Sequence, residues 1–491
     1  MQQVKRTMET GYLEAVRLTQ RDWARTPLGE RLAVIARLRR RMASGAVALA
    51  ETVPTRLPGG LNRTVADTLG AEVLPVMEAC RFLERSARRI LAAKRLGAMT
   101  RPIWLFGLDS RVERAPWGVV LLIGAGNYPL LLAGVQAIQA LAAGNAVLWK
   151  PAPGTEAPVR AFRELLIESG LNRELLTVLD SSVEAGIEAM DAGVDHVVLT
   201  GSAATGKAVL RRLAETLTPA TMELSGCDAV FVLPGAEFAH TVRALAFGMR
   251  FNGSCTCMAP RRIFLVGMAA AEAAKFEGLL ATALDWLDDV AIPGKTELLL
   301  RDLIEDARSQ GAQLLLNGLE ESGGAGLAAP TLIAGATPDL LSMQTDIFAP
   351  VLSVMRAADE GEALAASAAC EYALSAAVFG PEEKAIAFAG KVRAGGVLIN
   401  DVIVPTVDPR IPFGGRGRSG FGVTRGAEGL LAMTTPRTVQ IQRSRLPLNY
   451  QPTGDAHIDF FAGLARVLHG AGIAERWAGL KRLVGAALRL R

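Results

Sequence analysis

The sequence predicts an α/β fold: a doubly wound parallel sheet in the first half, a second mixed α/β region in the second half, and a small β-hairpin near residue 107. Three observations carry the prediction. From Gly118 to Leu224 short apolar runs alternate with helical stretches, the rhythm of βαβ units. From Met268 to Asn400 helical and extended segments alternate again. Half of the 491 residues are apolar and only 5% are aromatic, enough to bury a large core divided between two or three domains.

Composition also excludes. A formal net charge of +4 is small for this length, and no basic block interleaved with aromatic residues precedes the C-terminal tail, so nucleic acid is not an expected partner. Five cysteines stand singly or as one Cys-x-Cys, without a secretory signal at the N-terminus. That usage fits a reducing compartment, read here as the cytoplasm, and neither a disulfide framework nor a metal-ligand set. The long uncharged stretch Ala115 to Trp149 is interrupted by Gly124, Gly126, Asn127, Pro129, Gln136 and Gln139. Strand, turn and buried helix explain it better than a membrane span, and no transmembrane segment is predicted.

In order along the chain, Leu28 to Val53 and Val73 to Leu96 carry apolar residues at helical spacing and read as amphipathic helices. Pro102 to Phe106 and Arg111 to Arg114 flank Gly107 to Ser110 and read as a hairpin, whose Trp104 and Phe106 need cover. Strands follow at Val119 to Ile123, Ala146 to Trp149, Leu176 to Leu179, His196 to Thr200 and Ala220 to Leu224. Helices lie between them at Tyr128 to Ala143, Thr155 to Ser169, Val183 to Ala192 and Ala203 to Leu217. Helices at Phe238 to Arg250, Met268 to Leu287, Leu298 to Gln310, Ala363 to Ala369 and Glu382 to Val392 mark the second region. Its strands are Arg262 to Val266, Thr331 to Ile333, Val351 to Met355 and Gly396 to Asn400. Ile411 to Gly422 is too rich in glycine for regular structure. No internal repeat is present.

In a doubly wound sheet, ligands bind at the carboxyl ends of the strands. Three such ends stand out: Gly124 to Pro129, which keeps two glycines of a dinucleotide fingerprint but has Pro129 for the third; Lys150 before Pro151; and Thr200 to Gly206, a small-residue loop that opens a helix. Each alone is an ordinary turn, and together they favour a dinucleotide site. In the loop Phe251 to Phe264, Cys255 and Cys257 sit among Gly, Ser and Pro, a setting that exposes a thiol as readily as it makes a simple turn. Cys80 and Cys370, among Ala and apolar neighbours, read as inert fillers.

From about Leu28 to Val439 these residues together resemble the aldehyde dehydrogenase superfamily, in wording nearest its fatty aldehyde branch. Ile123 to Pro129 is similar to the family's Pro-Trp-Asn-Phe/Tyr-Pro segment; Gly144 to Pro151, to its cofactor-lysine segment; Met222 to Gly226, to Glu-Leu-Gly-Gly; Asp346 to Leu352, to Glu-x-Phe-Gly-Pro; and Pro412 to Gly422, to its closing motif. The resemblance implies a Rossmann-like cofactor domain at residues 1–94 and 113–222 and a catalytic thiol domain at 223–424. It further implies a hairpin oligomerisation element at 95–112 and 425–446, which leaves 447–491 as an amphipathic tail. Cys257 falls in the nucleophile's register, with Glu223 as the base for water and Asn127 as an oxyanion donor. Lys150, Gly201, Ser202, Gly206, Asp346 and Phe348 fall on cofactor positions. The implied reaction is NAD- or NADP-dependent oxidation of an aldehyde by a homo-oligomer, dimer or tetramer.

The chain departs from the pattern at Pro153, where many relatives carry a ribose-binding Glu, at Asp346 for Glu, at Gly126 for Trp and at Cys227 for Lys. Loss of the carboxylate at Pro153 removes a repulsion against a 2′-phosphate, so NADP is expected to be accepted alongside NAD. Two other readings keep the fold: a reductive or CoA-acylating enzyme, which has no need of Glu223, and a non-catalytic scaffold, which has no need of Cys257, Asn127 and Glu223 together. A Cys-His hydrolase needs one of the four histidines, His196, His240, His457 or His469, to reach the cysteine loop through space. In the tail, Ile473, Trp477, Leu480, Val484, Ala487 and Leu488 recur at helical spacing beside Arg476, Lys481, Arg482, Arg489 and Arg491. Such a helix either covers the protein's own apolar surface or makes peripheral contact with an anionic membrane.

Overall fold

A computed structural model of the chain describes residues 11–57, 62–324, 326–443 and 452–490. They form two compact units, the larger made of residues up to 93 and from 113 to 437, the smaller of 94–112 and 438 onward.

The larger unit holds two sheets. In the first, the strand order is Gly420–Phe421, Ala220–Leu224, His196–Gly201, Val119–Ile123, Ala146–Lys150, Leu176–Val178. All pairs are parallel except the first, in which Gly420 lies opposite Glu223. The strands are almost wholly apolar because helices cover both faces, as a parallel sheet requires. Their ends are in register: Ile123 pairs with both Lys150 and Leu199, and Thr200 pairs with Glu223. The three strand ends singled out in the sequence therefore open on one edge.

The second sheet has seven strands in the order Gln313–Leu316, Thr331–Ala334, Val351–Ala357, Pro260–Val266, Asp228–Val232, Ser375–Phe379, Gly396–Ile399. It is parallel apart from its first pair. The chain passes from one sheet to the other in the short turn between Leu224 and Asp228.

Tertiary context changed four expected elements, one of them the glycine-rich Ile411 to Gly422, which carries the short paired strands Arg416–Gly417 and Gly420–Phe421. The helix expected over Leu28 to Val53 breaks at Gly45 into Leu28–Ser44 and Ala46–Glu51, since glycine is the weakest helix former there. The helix expected from Val73 to Leu96 begins as a π-helical turn at Leu69–Val73, continues as Leu74–Ile90 and stops. Lys94–Leu96 is instead a strand, paired with Ser110–Val112. The hairpin therefore exists with a different first arm: Ile103–Leu105 is a short 3₁₀ turn after Pro102, whose ring removes a backbone donor.

In the smaller unit this hairpin joins the strand Thr434–Gln442 in a three-stranded sheet. Trp104 and Phe106 are exposed on the chain. Two helices, Asp455–His469 and Ile473–Arg489, pack as a hairpin around Gly463 and Gly479, where a Cβ on Gly463 would stand 2.9 Å from the Gly479 carbonyl. The first of the two has no counterpart in the sequence reading. Arg491 and the expected boundary at residues 446 and 447 lie outside the described residues. No helix among the described residues is long and apolar enough to cross a membrane.

Candidate active site

Helix Phe238–Arg250 ends at Phe251, and the next residues turn through left-handed backbone at Asn252 (φ 53°), Gly253 (φ 54°) and Ser254 (φ 60°) before the strand Pro260–Val266. Asparagine and glycine tolerate that region. Serine does so at a cost, offset here by Arg261. The buried Arg261 guanidinium donates to the Ser254 hydroxyl (2.7 Å) and carbonyl (2.6 Å) and to the Ala349 carbonyl (2.7 Å). The loop is thus pinned from the strand that follows it.

The two thiols have different surroundings. Cys255 is buried in a small cluster with Val53 and Leu57, Phe348 lying against it, and burial pushes its thiol up to about 11. Cys257 keeps some accessible surface. Its thiol is raised well above the usual range, first by loss of solvent, then by the negative charges of Glu223 and Asp228, while Arg425 acts in the opposite direction.

Glu223 ends the strand Ala220–Leu224, and its buried carboxyl group is raised chiefly by desolvation and lowered by Arg425 and Thr424. Its Oε2 accepts from the Thr424 hydroxyl (3.2 Å), while Oε1 has no partner. Arg425 is buried, stacks over the Phe413 ring at 4.8 Å and donates to the Thr406 carbonyl (2.8 Å). Asn127 follows the strand Val119–Ile123, and its amide Nδ2 donates to the Cys255 carbonyl (2.9 Å). The neighbouring Tyr128 hydroxyl bonds the Thr256 hydroxyl (2.8 Å). The structure therefore brings Asn127, from the first sheet, into hydrogen-bond contact with the cysteine loop, and Glu223, from the same sheet, near enough for its charge to act on the Cys257 thiol. Gly226 permits the approach: a Cβ there would lie 2.6 Å from the Cys257 carbonyl and 2.5 Å from Asp228 Oδ1.

On the same edge a cavity of about 600 Å³ opens between the helices Val183–Asp191 and Ala203–Thr216, with Ile123 and Lys150 at its base. Lys150 is buried; desolvation lowers its ammonium group, and the carboxylates of Asp180, Glu156 and Glu184 raise it. Ser202 caps the second helix, its hydroxyl accepting from the Thr205 N–H (3.2 Å). Gly206 faces inward, where a Cβ would stand 2.8 Å from Leu224, so this glycine seats the helix on the strand that carries Glu223. Asp346 is desolvated, which raises its carboxyl group, and its Oδ1 lacks a partner. Trp149 Nε1, at the end of the neighbouring strand, is likewise unpaired.

The histidines of this unit sit elsewhere. His196 stacks on Trp117, bonds the Thr221 hydroxyl (3.3 Å) and is pushed down to about 4 by burial, whereas His240 bonds the Asn400 carbonyl (2.7 Å). Neither pairs with Cys257. Sequence reasoning missed Arg261, Arg425 and Thr424. A doublet of arginines opening an otherwise apolar strand, Arg261 and Arg262, was the legible signal, since buried cations need a task.

Two parallel α/β sheets meeting at a thiol, with a cavity at the carboxyl edge of the first, define a cysteine-bearing enzyme on a nucleotide-binding scaffold. Residues 3–439 match the profile of the aldehyde dehydrogenase family. A 4,4′-diapolycopene aldehyde oxidase of Methylomonas is 31% identical over 467 residues, 91% of this chain and 84% of that protein. A putative NADP⁺ succinate-semialdehyde dehydrogenase of Mycolicibacterium smegmatis is 30% identical over 443 residues, 87% of this chain and 83% of its own length. Among solved structures, an aldehyde dehydrogenase of Mycobacterium tuberculosis complexed with NAD⁺ superimposes with a TM-score of 0.77 at 26% identity, covering 86% of this chain and 88% of that one. The chain belongs to the aldehyde dehydrogenase family.

Proposed function

We propose that the chain oxidises an aldehyde to the carboxylic acid with NAD or NADP, holding the carbonyl carbon on Cys257 and releasing it with water activated by Glu223. The observations that carry this reading are the Asn127 amide bonded to the cysteine loop at the Cys255 carbonyl and the buried Glu223 carboxyl group, its Oε1 unpaired, close enough for its charge to act on the Cys257 thiol. The residues nearby suit the cofactor. The cavity beside Lys150 has the size and apolar walls for an adenosine, and Asp346 Oδ1 is a buried acceptor for a ribose hydroxyl. Lys150, Ser202 and Gly201 would hold the dinucleotide, and Phe348 would flank it. When bound, the nicotinamide supplies the hydride acceptor.

The chain's own groups do the rest. The Cys257 thiol releases its proton to water and the sulfur attacks the carbonyl carbon, while the Asn127 amide with the Cys257 N–H meets the oxygen as charge develops on it, each donor contributing roughly 3 kcal/mol. Glu223, kept basic by burial, takes a proton from water as that water attacks the thioester. Hydrolysis distinguishes this from transfer to CoA, which leaves Glu223 without a task.

Within this reading, residues 1–94 and 113–222 serve the cofactor and 223–424 the thiol. Residues 95–112 and 425–446 serve self-association into a dimer or tetramer in the cytoplasm, and the tail helix Ile473–Arg489 is the segment available for peripheral contact with a membrane. The test is a panel of short, aromatic and long-chain aldehydes with each cofactor, following reduced nicotinamide and acid product. Acid formed in step with reduced cofactor supports the reading; thioester transferred only to CoA, or no turnover with any aldehyde, overturns it.

A further inference from the structure

Beside the cysteine loop lies a charged cluster to which the chemistry above gives no part. Arg63 and Glu72 are both buried, and Arg63 Nη1 donates to Glu72 Oε1. Glu72 sits in the π-helical turn Leu69–Val73, and such turns re-aim side chains, often at functional sites. Its second oxygen, Oε2, accepts from the N–H groups of Leu130 (2.7 Å) and Leu131 (2.9 Å), free donors at the start of helix Leu131–Ala143.

Arg63 grips the residues just before that helix start. Its Nη2 donates to the Asn127 backbone carbonyl (2.8 Å), and Nε and Nη2 both donate to Asn252 Oδ1, the former at 3.2 Å. With its amide oxygen so occupied, Asn252 turns Nδ2 toward the Cys255 carbonyl (3.1 Å) and the Asn127 carbonyl (3.3 Å). The Cys255 carbonyl is the same oxygen that accepts from Asn127 Nδ2 (2.9 Å). The hydrogen bonds close a ring: Asn127 side chain to Cys255 carbonyl, Cys255 carbonyl to Asn252 amide, Asn252 amide to Asn127 backbone.

We infer that Arg63, Glu72 and Asn252 are positioning residues for the reaction, fixing the Asn127 amide so that its remaining N–H points at the oxygen that becomes negative on attack by Cys257. The inference rests on the role proposed for Asn127. A planar fork with several donors does what a point charge cannot, so Lys is no substitute for Arg63. Burial of Arg63 and Glu72 keeps water from replacing the bonds of that pair, and an oxyanion donor that wanders loses most of its effect.

The test is a double-mutant cycle with full-length protein, using Asn127→Ala, Arg63→Lys and Asn252→Gly. Asn252→Gly guards against misfolding, because glycine adopts the left-handed backbone of residue 252 and leaves the Arg63–Glu72 pair intact. In the wild-type background, both Arg63→Lys and Asn252→Gly are expected to lower kcat for aldehyde at least tenfold. Cofactor affinity and the alkylation rate of Cys257 by iodoacetamide should change less than threefold. In the Asn127→Ala background, the same changes should cost less than twofold more. Full additivity with Asn127→Ala, or kcat within twofold of wild type for Asn252→Gly, overturns the inference. A wild-type enzyme that oxidises no aldehyde, or an Asn127→Ala variant as active as wild type, overturns instead the reading on which it rests.

Discussion

Cys257 and Cys255 are chemically the same side chain two positions apart, and surroundings separate them. Cys255 fills a pocket among Val53, Leu57 and Phe348, whereas Cys257 keeps some accessible surface and lies in the field of Glu223. Cys257→Ala is therefore expected to lower kcat at least about 10⁴-fold with little effect on folding. Cys255→Ala should keep most activity and lose about 1 kcal/mol of stability from its small cavity, read by chemical denaturation. Glu223 gives a second residue-scale prediction. Its carboxyl group is raised by burial and works as the carboxylate; the Cys257 thiol is raised and works as the thiolate. Both working forms are the deprotonated ones, so kcat and kcat/KM should rise together with pH across the neutral and mildly alkaline range. Glu223→Gln should lower kcat about 10²-fold or more and remove its own limb of the kcat profile, while Cys257 still alkylates and does so faster at fixed pH, because the charge that raises its thiol is gone. Acid formation rate measured against pH in the two proteins checks both claims.

At the scale of elements, the turn between Leu224 and Asp228 decides how closely the two sheets' functional residues approach. Gly226 lies at its centre, and a methyl group there would overlap the Cys257 carbonyl and Asp228 Oδ1. Gly226→Ala should cost about 1–3 kcal/mol of stability and lower kcat tenfold or more by pushing the loop away from Glu223, with cofactor binding nearly unchanged. A crystal structure of the variant with an undisplaced loop would contradict this. These elements also mark how far the sequence was legible. Strands such as Val119–Ile123 and Ala220–Leu224 are continuous apolar runs between turn signals, and they fold as read. Asn127, Glu223 and Cys257 are assigned from motif register, which carries no information on contacts. Lys94–Leu96 was misread because apolar spacing carried the helical pattern past Ile90, whereas pairing with Ser110–Val112 decides the outcome. Arg63, Glu72 and Asn252 lie far apart in sequence and share no local period. Only the left-handed path of Asn252 to Ser254 and the π-turn at Glu72 bring them to Asn127, and neither is visible in a one-dimensional pattern.

At the scale of the whole molecule, cofactor choice is a property of the charge around one strand end, and it is measurable as stability. Pro153 carries no carboxylate at the position where the family resemblance expects a ribose-binding one, and on that expectation NADP is accepted. Yet Asp180, Glu156 and Glu184 all act on the Lys150 ammonium group and supply negative potential of their own. Lys150 is one cation available to a phosphate there, with Arg211 and Arg212 on the same cavity wall, and its charge is already partly balanced, so a phosphate gains little from it. Both cofactors should therefore bind, with NAD the tighter. A ligand present at about 100 times its Kd stabilises the folded state by about 2.7 kcal/mol, roughly 3 °C in Tm for a chain of this size. At equal concentration NAD should raise Tm by more than NADP, and the difference should shrink as salt screens the exposed carboxylates. Replacing Asp180 and Glu184 by Asn and Gln should reverse the order, since Lys150 then meets the phosphate with Glu156 alone opposing it. Equal shifts in the wild-type protein, or an order indifferent to those two substitutions, would place the discrimination elsewhere than at Lys150.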